Sequence, residues 1–211
     1  MNKGKLILFE GPEGGGKSTM VKFFAERLRQ VGFDVVETKE PSGAFREKLL
    51  SVQSEITPEE ELDLFMQDRA EHFKNVVIPA LKEGKIILCD RSSPSTIAYQ
   101  CYGRGLDYEM VVSKDYEARQ GIGFDLVIFL DVPTDVGLAR KDKDNRFEME
   151  SVKFHELVRE GYLRQALPLL HDPRRDWKWV TIKSNRPLKE VKEYVWRELQ
   201  KILNFKKPLS N

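Results

Sequence analysis

The chain has 211 residues, 40% of them hydrophobic and 33% charged, with a net charge of +1. That length suits one globular domain with a core of its own, and the apolar share excludes global disorder. The near-neutral balance and the lack of a long basic block argue against a dedicated duplex-DNA binder.

In chain order, apolar runs alternate with segments of helical period. Leu6–Phe9 predicts a buried strand, too short for a signal-peptide core or a membrane span. A helix is expected from Lys17 to Val31, ended by Gly32, and a second strand over Val35–Glu37. Pro58 opens a long amphipathic segment to about Lys82, with Gly84 as its stop. Ile86–Cys89 reads as a third strand, followed by helical stretches at Ser95–Tyr102 and Tyr108–Gln120. Phe124–Leu130 is the fourth strand, and a charge-dense stretch, Arg140–Glu150, precedes a helix from Ser151 to about Leu170. Trp179–Ile182 gives a fifth strand and Leu188–Leu203 a last helix. Strands apolar on both faces, alternating with helices, predict an open, doubly wound α/β fold. Its five-stranded parallel sheet has helices on both faces, the first strand central, and the site at the strands' carboxyl ends. The whole of 1–211 reads as one domain, with a short mobile lid at about 140–150. No segment reaches membrane length, so a cytoplasmic location is expected. Cys89 and Cys101 lack CxxC spacing and suit thiols in a reducing compartment, while His72, His155 and His171 show no metal-ligand spacing.

Gly11-Pro12-Glu13-Gly14-Gly15-Gly16-Lys17-Ser18, followed by Thr19, fits GxxxxGK[ST] between a strand and a helix. Glycines let the backbone wrap and aim N–H groups at phosphate oxygens. Lys17 then reaches the β- and γ-phosphates, and the Ser18 hydroxyl ligates Mg²⁺. GTPases, motor ATPases and kinases share this loop, but no NKxD guanine reader is present, and the chain is short for a motor. Asp90-Arg91 follows the third strand, where a carboxylate can hold Mg²⁺ through water and a guanidinium can clamp an acceptor phosphate. The lid stretch carries Arg140 and Arg146, cations that could close on a transferring phosphoryl group. Phe65 and Arg69 lie four apart on one helix face, a pairing that could stack on and hydrogen-bond a base, or serve packing alone.

In order and spacing these motifs resemble the bacterial thymidylate kinase family over nearly the whole chain. The matching stretches include Phe9–Thr19, Thr38–Gly43, Leu64–His72, Asp90-Arg91, Ser95–Leu106, Leu130–Pro133 and Asn145–Glu148. The resemblance implies phosphorylation of dTMP to dTDP with Mg-ATP in dTTP biosynthesis. It implies stacking of Phe65 on thymine, a hydrogen bond from Arg69 to its carbonyl, and Thr96 and Gln100 at the base or sugar. Tyr99 would lie under the deoxyribose, Glu13 would meet the 3′-hydroxyl, and Arg91 would bind the acceptor phosphate. It also implies a P-loop NTPase fold, places the transferring arginine in the lid, Arg146 first and Arg140 second, and implies a homodimer; the charge balance and the segment lengths lead to no nucleic acid and no membrane being expected as partners. Lys39, Ser42, Ser92, Cys101 and Asn145 depart from the family pattern around the acceptor site. A kinase of another deoxynucleoside monophosphate and a weakly catalytic nucleotide-binding regulator therefore stand as alternatives.

Overall fold

The computed structural model describes residues 4–43, 45–51, 56–140, 145–167, 174 and 177–209. Its centre is β1 (Lys5–Glu10), which pairs in parallel with β3 (Ile86–Asp90) on one side and β4 (Leu126–Asp131) on the other. β2 (Val35–Lys39) joins β3 and β5 (Lys178–Lys183) joins β4, giving the order β2-β3-β1-β4-β5. The five parallel strands and the central first strand are as the apolar runs predict. Alternation along β1 divides the core. Ile7 and Phe9 face α1 (Lys17–Gln30) and α9 (Leu188–Leu203), while Leu6 and Leu8 face Phe73, Val77 and Phe124 on the opposite side. α9 buries Val191, Val195, Trp196 and Leu199, a single stripe at helical spacing.

The remaining elements are α2 (Arg46–Leu50), α3 (Pro58–His72), α4 (Ile78–Lys82), α5 (Ser93–Thr96), α6 (Tyr108–Ala118), α7 (Thr134–Leu138) and α8 (Val152–Gln165). α3 starts with a capping box, in which Thr57 Oγ1 accepts from the Glu60 N–H, Glu60 accepts from the Thr57 N–H, and Pro58 fills the first turn. The long segment expected to Lys82 is continuous, but it passes through a π-helical turn at Phe73–Val77 before α4. A second π-helical stretch, Ile97–Gly103, carries the helix begun by α5. The fourth strand starts two residues later than its apolar run. Asp125 instead folds back on β1, its carboxylate accepting from the Leu6 N–H at 2.9 Å and from Lys5 Nζ at 2.7 Å. The helix expected to reach Leu170 ends at Gln165, and residues 168–170 lie outside the described residues.

α8 packs closely on the Ile97–Gly103 stretch because each contributes a glycine where the other's side chains press in. A Cβ on Gly161 would lie 2.8 Å from Tyr102, and one on Gly103 would lie 2.6 Å from Phe154. His155, one residue on, is buried, and both its ring nitrogens lack partners among the described residues. Burial holds its pKa below the ordinary 6.5. The unfolded chain therefore binds a proton that the folded chain refuses, and stability that is full above about pH 6.5 falls as pH drops through that window. His155→Leu is expected to flatten this dependence. The check is the difference between wild-type and variant Tm across about pH 5 to 7.5, which isolates the histidine from other titrating groups.

Candidate active site

The strand ends set the site. The loop after β1 wraps from Gly11 to Gly16, and α1 begins at Lys17 with no acidic side chain in its first turn and Gly16 at its cap. Such a helix start favours anions. Two glycines are forced by contact as well as by backbone. Gly11 has φ 143° and would put a Cβ 2.5 Å from the Leu130 carbonyl, while Gly14 has φ 69° and would drive one into Gly137 at α7. Lys17 Nζ donates to the Gly11 and Pro12 carbonyls, both at 2.9 Å. Desolvation draws its pKa down to about 8, helped by the Arg91 charge and opposed by Glu13, Asp90 and Glu10.

Ser18 Oγ donates to Asp90 at the end of β3. A hydroxyl and one carboxylate side by side at a phosphate nest form an all-oxygen donor set. That suits Mg²⁺, which keeps waters and takes only one or two protein carboxylates beside substrate phosphates. No cluster of three or more His, Cys, Asp or Glu able to cage a metal occurs among the described residues.

Arg91 follows with φ 73°, a left-handed conformation costly for a residue with a side chain. Its N–H bonds the Phe9 carbonyl at 3.0 Å. Nη2 donates to Glu13 at 2.6 Å, and Nη1 reaches the Gly11 carbonyl at 3.1 Å and the Ser95 and Tyr162 hydroxyls at 3.2 Å. The guanidinium lies over the Tyr99 ring, 5.2 Å from its centroid, and the Tyr99 hydroxyl donates to Glu13 at 2.9 Å. Desolvation raises the Tyr99 phenol well beyond its usual range. Under this group lies Glu10, wholly buried, whose carboxyl is pushed up to about 7 by burial against the opposing effects of Ser95, Arg91, Ser92 and Lys17.

Beyond Arg91, Phe65 and Tyr99 pack against Phe147, at 6.0 and 5.7 Å between ring centroids. Arg69 forms the floor and is 2% exposed. It donates to Glu40 through Nε (2.9 Å) and Nη2 (2.7 Å), to Thr96 Oγ1 (3.0 Å) and to Asp115 (2.5 Å). Four of its five N–H donors are thus committed among the described residues, and the second N–H of Nη1 is not. Gln100 Nε2 donates to Glu61 at 2.6 Å.

One cleft of about 620 Å³ joins these groups. Its walls include Glu13–Thr19, Phe65, Arg69, Asp90, Arg91, Thr96, Tyr99, Gln100 and Arg140. Gly11 and Pro12 lie beneath it as acceptors for Lys17. Arg146, ranked first among the lid cations by sequence, is not among the cleft walls. Its Nη2 donates to Glu61 and its guanidinium sits over Phe147, 5.1 Å from the ring centroid. Arg140 is the lid arginine in the cleft, with Nη1 3.2 Å from the Gly14 carbonyl. Residues 141–144 of the lid stretch lie outside the described residues, while Phe147 is buried against Tyr99 and Phe154. Sequence reasoning also passed over Glu10, Glu40, Glu61 and Tyr162. The signal for Glu10 was present, since a carboxylate at the carboxyl end of a buried parallel strand needs a cationic or hydroxyl partner.

A phosphate nest and an aromatic, arginine-floored pocket sharing one cleft at the carboxyl ends of a parallel sheet define a P-loop kinase of small nucleotides. The comparisons narrow the class. A family model described as Thymidylate kinase matches residues 9–195. The thymidylate kinase of Pelobacter propionicus is 38% identical over 217 residues, covering 95% of this chain and 96% of its own. That of Pseudomonas fluorescens is 40% identical over 199 residues (90% and 92%), and that of Geobacter sulfurreducens 43% over 178 residues (77% and 84%). The chain belongs to the thymidylate kinase family.

Proposed function

We propose that this chain, acting as one domain, transfers the γ-phosphoryl group of ATP to dTMP, giving ADP and dTDP for dTTP synthesis. The observation that carries the reading is the shared cleft, in which Lys17 and the Phe65–Arg69–Arg91 pocket face one space. Phosphoryl transfer needs little covalent help from protein; positioning and positive charge supply most of the catalysis. The loop N–H groups and Lys17 hold the triphosphate, and Arg91 takes the acceptor phosphate. Phe65 stacks on the base, the remaining donor of Arg69 meets its carbonyl, and Thr96 and Gln100 border base and sugar. Glu13 and Tyr99, bonded to each other, border the sugar, where Tyr99 leaves little room for a 2′-hydroxyl. Ser18 and Asp90 would hold Mg²⁺, which when bound offsets charge on the β- and γ-phosphate oxygens.

The contact of Arg140 with the Gly14 carbonyl supports it as the lid cation that acts on the transferring group, whereas Arg146 would have to leave Glu61 first. Resemblance further supports a homodimer in the cytoplasm. No helix among the described residues is long and apolar enough to cross a membrane.

The test is a panel of monophosphates with Mg-ATP, with products separated by chromatography. dTDP formation is expected to exceed turnover of the ribonucleotides by about 10²-fold, the discrimination reachable when a pocket rejects an added hydroxyl. Faster conversion of another deoxynucleoside monophosphate would overturn the dTMP assignment. ATP binding without turnover of any acceptor would overturn the kinase reading.

A further inference from the structure

We infer that Glu10 is a positioning residue for Arg91, holding its guanidinium ready for the acceptor phosphate through the hydroxyls of Ser95 and Tyr162. The inference rests on the reading of Arg91 as the acceptor clamp. Glu10 ends β1 and is 0% exposed. One of its oxygens accepts the Ser92 N–H at 2.6 Å, and the other accepts from Ser95 Oγ at 2.6 Å and the Tyr162 hydroxyl at 3.1 Å. The two hydroxyls stand 2.7 Å apart, and Arg91 Nη1 lies 3.2 Å from each.

A hydroxyl has one proton and two lone pairs. With the Ser95 and Tyr162 protons directed into the carboxylate or to each other, lone pairs are left for the guanidinium. Glu10 therefore makes acceptors out of two groups that could otherwise present protons to Arg91. Its other oxygen grips the peptide that follows Arg91, the point where the left-handed backbone at φ 73° must be held. Backbone and Nη1 edge are thus fixed by one side chain. Nη2 carries a bond to Glu13, so the side of the guanidinium turned away from the two hydroxyls is the one presented for contact with phosphate. A glutamine at position 10 would fill nearly the same volume. Its amide NH₂ would point a donor either at the Ser92 N–H or at the hydroxyls, turning their protons toward Arg91.

The experiment compares dTMP with thymidine, which lacks the phosphate that Arg91 would hold. Both are titrated into the full chain by calorimetry at about pH 8, where a carboxyl driven up to about 7 is largely ionised. Glu10→Gln is expected to weaken dTMP about tenfold, the scale of one charge-assisted hydrogen bond, with thymidine affinity and the ATP KM within about twofold of wild type. Tyr162→Phe, which removes one relay hydroxyl, is expected to give a smaller loss, about threefold, confined to dTMP, and carries the test should Glu10→Gln not fold. In an Arg91→Ala background, Glu10→Gln should cost dTMP nothing further. Equal losses for dTMP and thymidine, or an unchanged dTMP affinity, would overturn the role of Glu10 alone. A wild-type protein that does not prefer dTMP to thymidine removes the acceptor reading and this inference together.

Discussion

Replacing Lys17 by alanine is expected to lower kcat by about 10²- to 10³-fold, the usual loss when one preorganised donor to a developing oxyanion is removed. The ammonium sits in the loop that would hold the triphosphate, fixed by the Gly11 and Pro12 carbonyls, so it needs no reorganisation as charge builds on the phosphoryl oxygens. The same burial makes it costly to the fold. A pKa drawn from 10.5 to about 8 is an opposing contribution on the order of a few kcal/mol at neutral pH. The variant is therefore expected to melt no lower than wild type while losing activity, a pairing that separates a catalytic loss from a folding one. The pH profile carries the sign. In the free protein Lys17 loses its proton as pH rises through about 8, whereas bound triphosphate restores the charged form. Hence kcat/KM for ATP should fall above about pH 8 while kcat stays level, because the first reports the free enzyme and the second the complex. A kcat that survives Lys17→Ala would remove this residue from the transfer step.

What could be read from residues alone follows from which signals are local. The sheet was legible because Leu6–Phe9, Ile86–Cys89 and Phe124–Leu130 are apolar on both faces, and the phosphate loop because its glycine spacing is a backbone requirement. Helix α9 was legible to its ends because its buried stripe is regular. The π-helical turns at Phe73–Val77 and Ile97–Gly103 were not, since a shift from i+4 to i+5 bonding changes no composition. α2 and α7 are each a little over one turn and carry no period to detect. In the site, the pairing of Phe65 with Arg69 was visible as helical spacing, but the partners that orient Arg69 come from three other segments: Glu40 after β2, Thr96 on α5 and Asp115 on α6. The surroundings of Arg146 and Arg140 were likewise not legible. Only the fold shows that α3 supplies Glu61 as a partner for the first and that the phosphate loop supplies a carbonyl for the second. Long-range polar pairing is the part of a site that a one-dimensional pattern leaves unspecified.

That pairing is also where the largest loss of stability is expected. Glu40, 5% exposed, accepts two bonds from Arg69 and faces His72 Nδ1 at 2.9 Å. Desolvation by itself would raise its carboxyl, yet the Arg69 charge and the His72 contact win and hold it down at about 2. Glu40→Ala leaves the Arg69 guanidinium 2% exposed with Asp115 as its one remaining anion, and Asp115 is already shared with Arg119 at 3.0 Å and Ser93 Oγ at 2.6 Å. Removing one partner of a buried pair costs about 3–5 kcal/mol, because the other charge stays behind. For a chain of this size that is a fall in Tm on the order of 10 °C. Linkage gives an independent check. The unfolded carboxyl titrates near 4.5 and the folded one near 2, so the contribution is complete above about pH 4.5 and disappears as pH falls toward 2. The variant should therefore lose most of its stability deficit in acid, its melting curve converging on that of wild type as pH drops through this window. Binding should fail differently from the Glu10 variant. Arg69 would lose its aim at the base, so thymidine and dTMP should weaken by similar factors, whereas a fault at Arg91 should touch only the phosphorylated ligand. A Glu40→Ala protein that melts with wild type at neutral pH would mean that Asp115 and Thr96 alone suffice to hold Arg69 in place.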